Sequence, residues 1–121
     1  MEIVRNTLGD TAVLHLNGRL NLNSSAEAKN RIKELLDKRS RKIILNLTRV
    51  DFINSSGLGV LISVLKDIRL ANSRLAITNL SPYVHEIFEI TQLVNVFDIY
   101  DNEEAALDGF LLKSGDMGRL R

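Results

Sequence analysis

The sequence predicts an α/β fold: one domain in which a mixed sheet of about five strands is layered with four helices, in the order ββαβαβαβα. Three observations predict it. Strand and helix patterns alternate from end to end, which argues for a sheet joined by right-handed crossover helices. Ile43, Ile44, Leu45 and Leu47 are apolar without regard to alternation, the mark of a strand covered on both faces, central and parallel. Hydrophobic residues make up 45% of the 121 residues, enough to fill one core in a chain of one-domain length. Aromatics are only 5% and Trp is absent, so that core must be aliphatic.

The elements follow in order. Glu2 to Leu8 and Thr11 to Asn17 read as two strands around Gly9-Asp10, a hairpin signal. In the second strand Ala12, Leu14 and Leu16 point one way, and Val13, His15 and Asn17 the other. One sheet face is therefore apolar and the other mixed, with the first strand pairing at an edge. Ser24-Ser25-Ala26-Glu27 has capping-box spacing. It opens a helix with a stripe of Ile32, Leu35 and Leu36. The central strand spans Lys42 to Leu47, and a turn from Asp51 to Ser56 leads into a second helix. Leu58, Leu61, Ile62, Leu65 and Ile68 give that helix its stripe, with Val60 and Val64 beside it. It is expected to be the most buried of the four. Leu75 to Thr78 is a short strand. Ser81-Pro82 starts the third helix, with Ser as cap and Pro in the first turn. Val84, Ile87 and Phe88 form its stripe. Val94 to Ile99 reads as the last strand. Asp101 to Glu104 has the spacing of a further capping box and opens a helix with Ala106, Leu107, Phe110 and Leu111. The domain is expected over residues 1–112, with residues 113–121 a mobile tail that has two glycines and no periodicity.

Composition also excludes function classes. Net charge is +1, and the basic residues are mixed with acids, so no field draws in a nucleic acid. The chain has no cysteine, which removes disulfides and thiolate metal sites. His15 and His85 lack companions at metal-ligand spacing. No metal and no cofactor are expected. Met1-Glu2-Ile3-Val4-Arg5 shows no basic segment followed by an apolar run, so no signal peptide is expected. No apolar stretch approaches the roughly 20 residues that span a bilayer. The expectation is a cytoplasmic protein, a monomer, without membrane insertion.

The informative segment is Asp51-Phe52-Ile53-Asn54-Ser55-Ser56-Gly57-Leu58-Gly59. It follows a buried strand and opens a helix. Adjacent hydroxyls there stand where a helix exposes unpaired N–H groups. Taken alone, Asn54 or Ser55 reads as a plain N-cap, and the glycines as aids to close packing. A second reading is physically coherent. A helix N-terminus favours negative charge, and a phosphate would add about −1.5 to −2 charges at an exposed turn. Gly57-Leu58-Gly59 is no nucleotide-binding loop, since both the Lys-Ser/Thr ending and the full Gly-x-Gly-x-x-Gly are missing.

Asn54-Ser55-Ser56-Gly57-Leu58-Gly59 resembles the phosphorylation loop of STAS-domain anti-sigma factor antagonists, usually Asp-Ser-Ser-Gly-Leu-Gly or Asp-Ser-Thr-Gly-Leu-Gly. Gly18-Arg19-Leu20-Asn21 resembles the family's Gly-x-Leu/Ile-Asp element. Ile43 to Leu47 resembles its central strand, and Asn79-Leu80-Ser81-Pro82 with Ile87 to Thr91 its third helix. The likeness covers residues 1 to 111. It implies helices mainly on one side of the sheet and a protein without catalysis of its own. It implies that the unphosphorylated form binds an anti-sigma factor that is also a serine kinase, so releasing the sigma factor. It implies that phosphorylation of Ser55 ends the interaction and that a serine phosphatase restores it. The implied contact surface joins Asn21, Leu22, Asn23 and Ser24 to Asn54, Ser55, Ser56, Gly57 and Leu58. Leu22 and Leu58 are its candidate apolar anchors, each with core burial as the rival reading. The sequence departs from the family at Asn21 and Asn54, where Asp is usual. Two alternatives stay open: an accessory subunit regulating a membrane transporter's ATPase, and a module sensing a small ligand, which would need a pocket with convergent polar groups.

Overall fold

Gly9 turns the chain with φ +62°, a backbone conformation that costs glycine little. It joins strand β1 (Glu2–Leu8) to strand β2 (Thr11–Leu20) as an antiparallel hairpin. A computed structural model of the chain describes residues 1–119, and side chains over residues 1–112. The remaining elements are α1 (Leu22–Asp37), β3 (Lys42–Ile53), α2 (Ser55–Leu70), β4 (Arg74–Thr78), α3 (Pro82–Ile90), a 3-10 turn (Leu93–Asn95), β5 (Asp98–Tyr100) and α4 (Glu103–Arg119).

The sheet order is β1-β2-β3-β4-β5, with every pair after the hairpin parallel. β3 is central, as its unbroken apolar run demands. The two faces bury different residues. Leu14 and Leu16 of β2, Leu45 and Leu47 of β3, and Ile77 of β4 form the main core with α1, α2 and α3. Val13, Ile44 and Ala76 face the other way, onto Ala106 and Phe110 of α4. Three helices thus cover one face and one covers part of the other.

Several local expectations need correction. β3 does not end at Leu47 in a turn from Asp51. It continues to Ile53, so Asn54 alone separates strand from helix. Register shifts against β2 let it continue, so that Val50 and Ile53 return to the core. The segment Val94 to Ile99 is not one strand. Leu93–Asn95 closes as a 3-10 turn, with the Val96 and Phe97 N–H groups both donating to the Leu93 carbonyl at 3.0 Å, and Leu93 and Phe97 pack into the main core. Only Asp98–Tyr100 pairs with β4. α2 is not buried over most of its circumference, because Ile62 and Leu70 are exposed. Leu111 is exposed on α4 as well. That helix is capped by Asn102, whose side chain accepts from the Ala105 N–H at 2.8 Å. The tail expected over 113–121 falls where side chains, and for the last two residues the backbone, lie outside the described residues; the α4 backbone runs to Arg119.

Candidate functional site

Two helix N-termini meet at the carboxyl ends of β2 and β3. Asn21 caps α1: its Oδ1 accepts from the Ser24 N–H at 3.1 Å, and the Ser24 Oγ accepts from the Asn21 N–H at 3.0 Å. The capping box is therefore Asn21 with Ser24, three residues earlier than the Ser24-Glu27 pairing expected. Ser24 is the buried third residue of the helix, and its hydroxyl also donates to the Arg19 carbonyl at 2.5 Å. Asn54 caps α2, accepting from the Gly57 N–H at 2.9 Å. Both asparagines act as the caps that amide side chains make well.

One carbonyl binds the two loops together. The Asn54 N–H donates to the Leu20 oxygen at 3.2 Å. A Cβ on Gly57 would lie 2.5 Å from that same oxygen and 3.1 Å from the Ser25 Oγ. Only a residue without a side chain lets α2 start against the end of β2. Gly59 meets nothing within 4 Å, so packing does not require a glycine there.

Around this buried joint the outer residues are open. Leu22, Asn23, Asn54, Ser55 and Ser56 are exposed, Asn21 and Leu58 are half-buried, and Gly57 is buried. Leu22 is 59% exposed, a surface residue, whereas Leu58 packs in part against the main core. The hydroxyls of Ser55 and Ser56 make no hydrogen bond among the described residues. The first turns of α1 and α2 carry no acidic side chain, so nothing on these helices offsets the positive ends of their dipoles. The N–H groups of Ser55 and Ser56, in that first turn, remain available to an anion.

Two flanking features were not legible in the sequence. The Arg19 guanidinium lies over the Phe52 ring, 4.0 Å from its centre, a cation-π contact between cross-strand partners. Finding it needs the β2–β3 register, which the register shifts hide. Ile62 extends the apolar surface one turn beyond Leu58 and is exposed. Its spacing put it in the buried stripe. Elsewhere, His15 meets Glu103 at 3.4 Å and His85 meets Glu89 at 3.1 Å. Among the described residues no group of three or more His, Cys, Asp or Glu could hold a metal. No helix among them is long and apolar enough to cross a membrane.

Residues 2–106 match the STAS domain family. The chain belongs to the STAS-domain anti-sigma factor antagonist family. An anti-sigma F factor antagonist of Paenibacillus polymyxa is 31% identical over 78% of this chain and 82% of its own. BtrV of Bordetella bronchiseptica, assigned as an anti-sigma factor antagonist, is 29% identical over 91% of this chain and 95% of its own. Among solved structures, a Thermotoga maritima protein assigned to the same class superposes with a TM-score of 0.81 at 28% identity, over 88% of this chain and 92% of that one. Phosphorylated SpoIIAA of Bacillus shares the STAS fold, with a TM-score of 0.67 at 22% identity over 90% and 99% of the two chains. Within this STAS domain the Asn54 to Gly59 segment forms the start of α2, one residue after the central strand.

Proposed function

We propose that this STAS domain is a phosphorylation-controlled antagonist of an anti-sigma factor. Its unphosphorylated form binds an anti-sigma factor that is itself a serine kinase, and the sigma factor is set free. The kinase transfers phosphate to Ser55, the complex comes apart, and a serine phosphatase resets the protein. The protein is the substrate in this cycle and performs no catalysis. The observation that carries the reading is the state of Ser55: exposed, without a hydrogen bond, and at the first position of a helix whose N-terminal dipole is not offset. The exposed Leu22 and Asn23 stand in the first turn of α1, beside the junction joined to it through Leu20. A kinase can reach such a serine, and a docked partner would cover it. The existence of SpoIIAA in a phosphorylated form supports the same chemistry on this fold. Ser56 is exposed too, and the family motif assigns the acceptor role to the first hydroxyl. The test is capture of the partner from lysate, incubation with ATP, and mapping of the phosphate. Phosphate on Ser55 is the expected result. Phosphate on Ser56 alone, or none from an active kinase that binds the protein, refutes the assignment.

A further inference from the structure

The face of the sheet opposite α1, α2 and α3 is only partly covered. α4 packs on β3, β4 and β5 and reaches Val13 of β2, and it leaves open β1 and the part of β2 near Asn17. A hollow of about 590 Å³ lies there, within the size range of small-molecule sites. Glu2, Val4, Asn6, His15, Asn17 and Arg49 are among the residues that line it.

The strand register sets these groups in rows. Glu2 pairs with Asn17, and Asn17 pairs with Arg49. These three residues therefore form a line across three strands, with about 10 Å between the outer Cα atoms at two interstrand spacings. Val4, His15 and Asn46 form the next row. Arg49 joins the first row only because β3 carries a register shift opposite His15 and Asn17, and such bulges re-aim side chains. Asn46 fixes the shifted segment. Its Oδ1 accepts from the Thr48 N–H at 2.9 Å and the Thr48 hydroxyl at 2.6 Å, and its Nδ2 donates to Glu103 at 2.6 Å. The floor is thus rigid strand, which holds binding groups more firmly than a loop does.

The charges in the row are complementary and do not meet. Glu2 receives one hydrogen bond, from Asn17 Nδ2 at 3.3 Å, on Oε1. Its Oε2 has no partner among the described residues, and Arg49 has no hydrogen bond or ion pair among them. A carboxylate and a guanidinium facing one hollow from opposite ends are matched by a ligand that carries both charges. Val4, 48% exposed in the adjacent row, adds the apolar contact. From this juxtaposition we infer that the hollow is a binding site for a small zwitterion, an α-amino acid with an aliphatic side chain. Its carboxylate takes the Arg49 fork, which suits bidentate contact. Its ammonium takes the free Glu2 oxygen, and its side chain rests on Val4. Asn17 stands between them to hydrogen-bond either end. The inference is independent of the role of Ser55.

The test is an amide chemical-shift titration of the full-length protein with L-leucine, L-isoleucine, L-valine and L-methionine, alongside N-acetyl-L-leucine and L-leucinamide. At least one of the four amino acids should give saturable shifts centred on Glu2, Val4, Asn17 and Arg49. Removing either ligand charge should weaken binding about tenfold or more. Glu2→Gln and Arg49→Gln, both at exposed positions, should weaken it likewise with the rest of the spectrum unchanged. The inference is overturned if none of the four gives saturable shifts at these residues. It is equally overturned if the blocked derivatives bind as well as L-leucine, or if both variants bind like the wild type.

Discussion

Gly57 approaches Leu20 so closely that a Cβ on the glycine would stand 2.5 Å from the Leu20 carbonyl oxygen and 3.0 Å from its carbon. The obstacle is backbone, which cannot swing aside like a flexible side chain. Gly57→Ala must push α2 away from the end of β2, and overpacking of this kind costs about 1–3 kcal/mol. Gly59→Ala meets open space and should stabilise by about 0.5–1 kcal/mol through helix propensity. Urea unfolding of both variants checks the pair, and equal midpoints would refute the packing argument.

Ser55 occupies the first helical position, while the capping side chain belongs to Asn54. Ser55→Ala should therefore change stability by no more than about 0.5 kcal/mol, as for an exposed site without a structural bond. It should bind the anti-sigma partner normally and resist ATP-dependent release. Ser55→Asp should bind more weakly. Calorimetric titration of the two variants reads this directly. Matching affinities would show that charge at the site does not control docking.

Asn21 and Asn54 stand where the family usually has Asp, and both cap a helix. Asp caps as well as Asn, so Asn21→Asp/Asn54→Asp should leave the unmodified protein as stable as before. Asn54→Ala removes the acceptor for the Gly57 N–H and should cost about 0.5–2 kcal/mol. Phosphorylation should separate the caps by charge. Two carboxylates beside a phosphate repel it, and the repulsion weakens with salt. The double Asp variant should lose more melting temperature on phosphorylation than the wild type does, and the gap should close at high salt. A gap that is absent at low salt means that the asparagines are caps and nothing more.

Asn46 joins β3 to the first turn of α4 through Glu103. Asn46→Leu strands the Thr48 N–H and leaves the Glu103 carboxylate with His15 alone, at a cost of about 1–3 kcal/mol. Residues in one hydrogen-bond network are not additive. Combining Asn46→Leu with Glu103→Leu should destabilise less than the sum of the single changes. Strict additivity in denaturant melts would argue that the contact carries no weight.

The sequence's alternation sufficed for the layered architecture because β2 and β3 bury what their side-chain periods say. Boundaries were harder to read. Asn21, Asn23, Ser24 and Ser25 are all cap-competent types, and local chemistry alone did not choose Asn21. Val94, Val96 and Ile99 suit a strand, yet the Val96 and Phe97 N–H groups bond back to the Leu93 carbonyl and close the chain as a turn. The motif from Asn54 to Gly59 located the start of α2, but the reason for Gly57 lies in Leu20, 37 positions away. The row of Glu2, Asn17 and Arg49 was hidden for a similar reason. It depends on a register shift that no local pattern announces.

The hydrogen bond from the Asn54 N–H to the Leu20 carbonyl has a thermodynamic consequence for recognition. Segments that are loose in the free protein must lose conformational freedom when a partner docks, and that loss weakens binding. Under the proposed function, the Asn21 and Asn54 junctions that would meet the partner are already joined through one backbone atom. Little of the interaction free energy is then spent on ordering them, and the surface meets its partner in the shape it already has. Under the same proposal, a phosphate on Ser55 would act on a fixed surface, altering its charge and contour without having to unfold it.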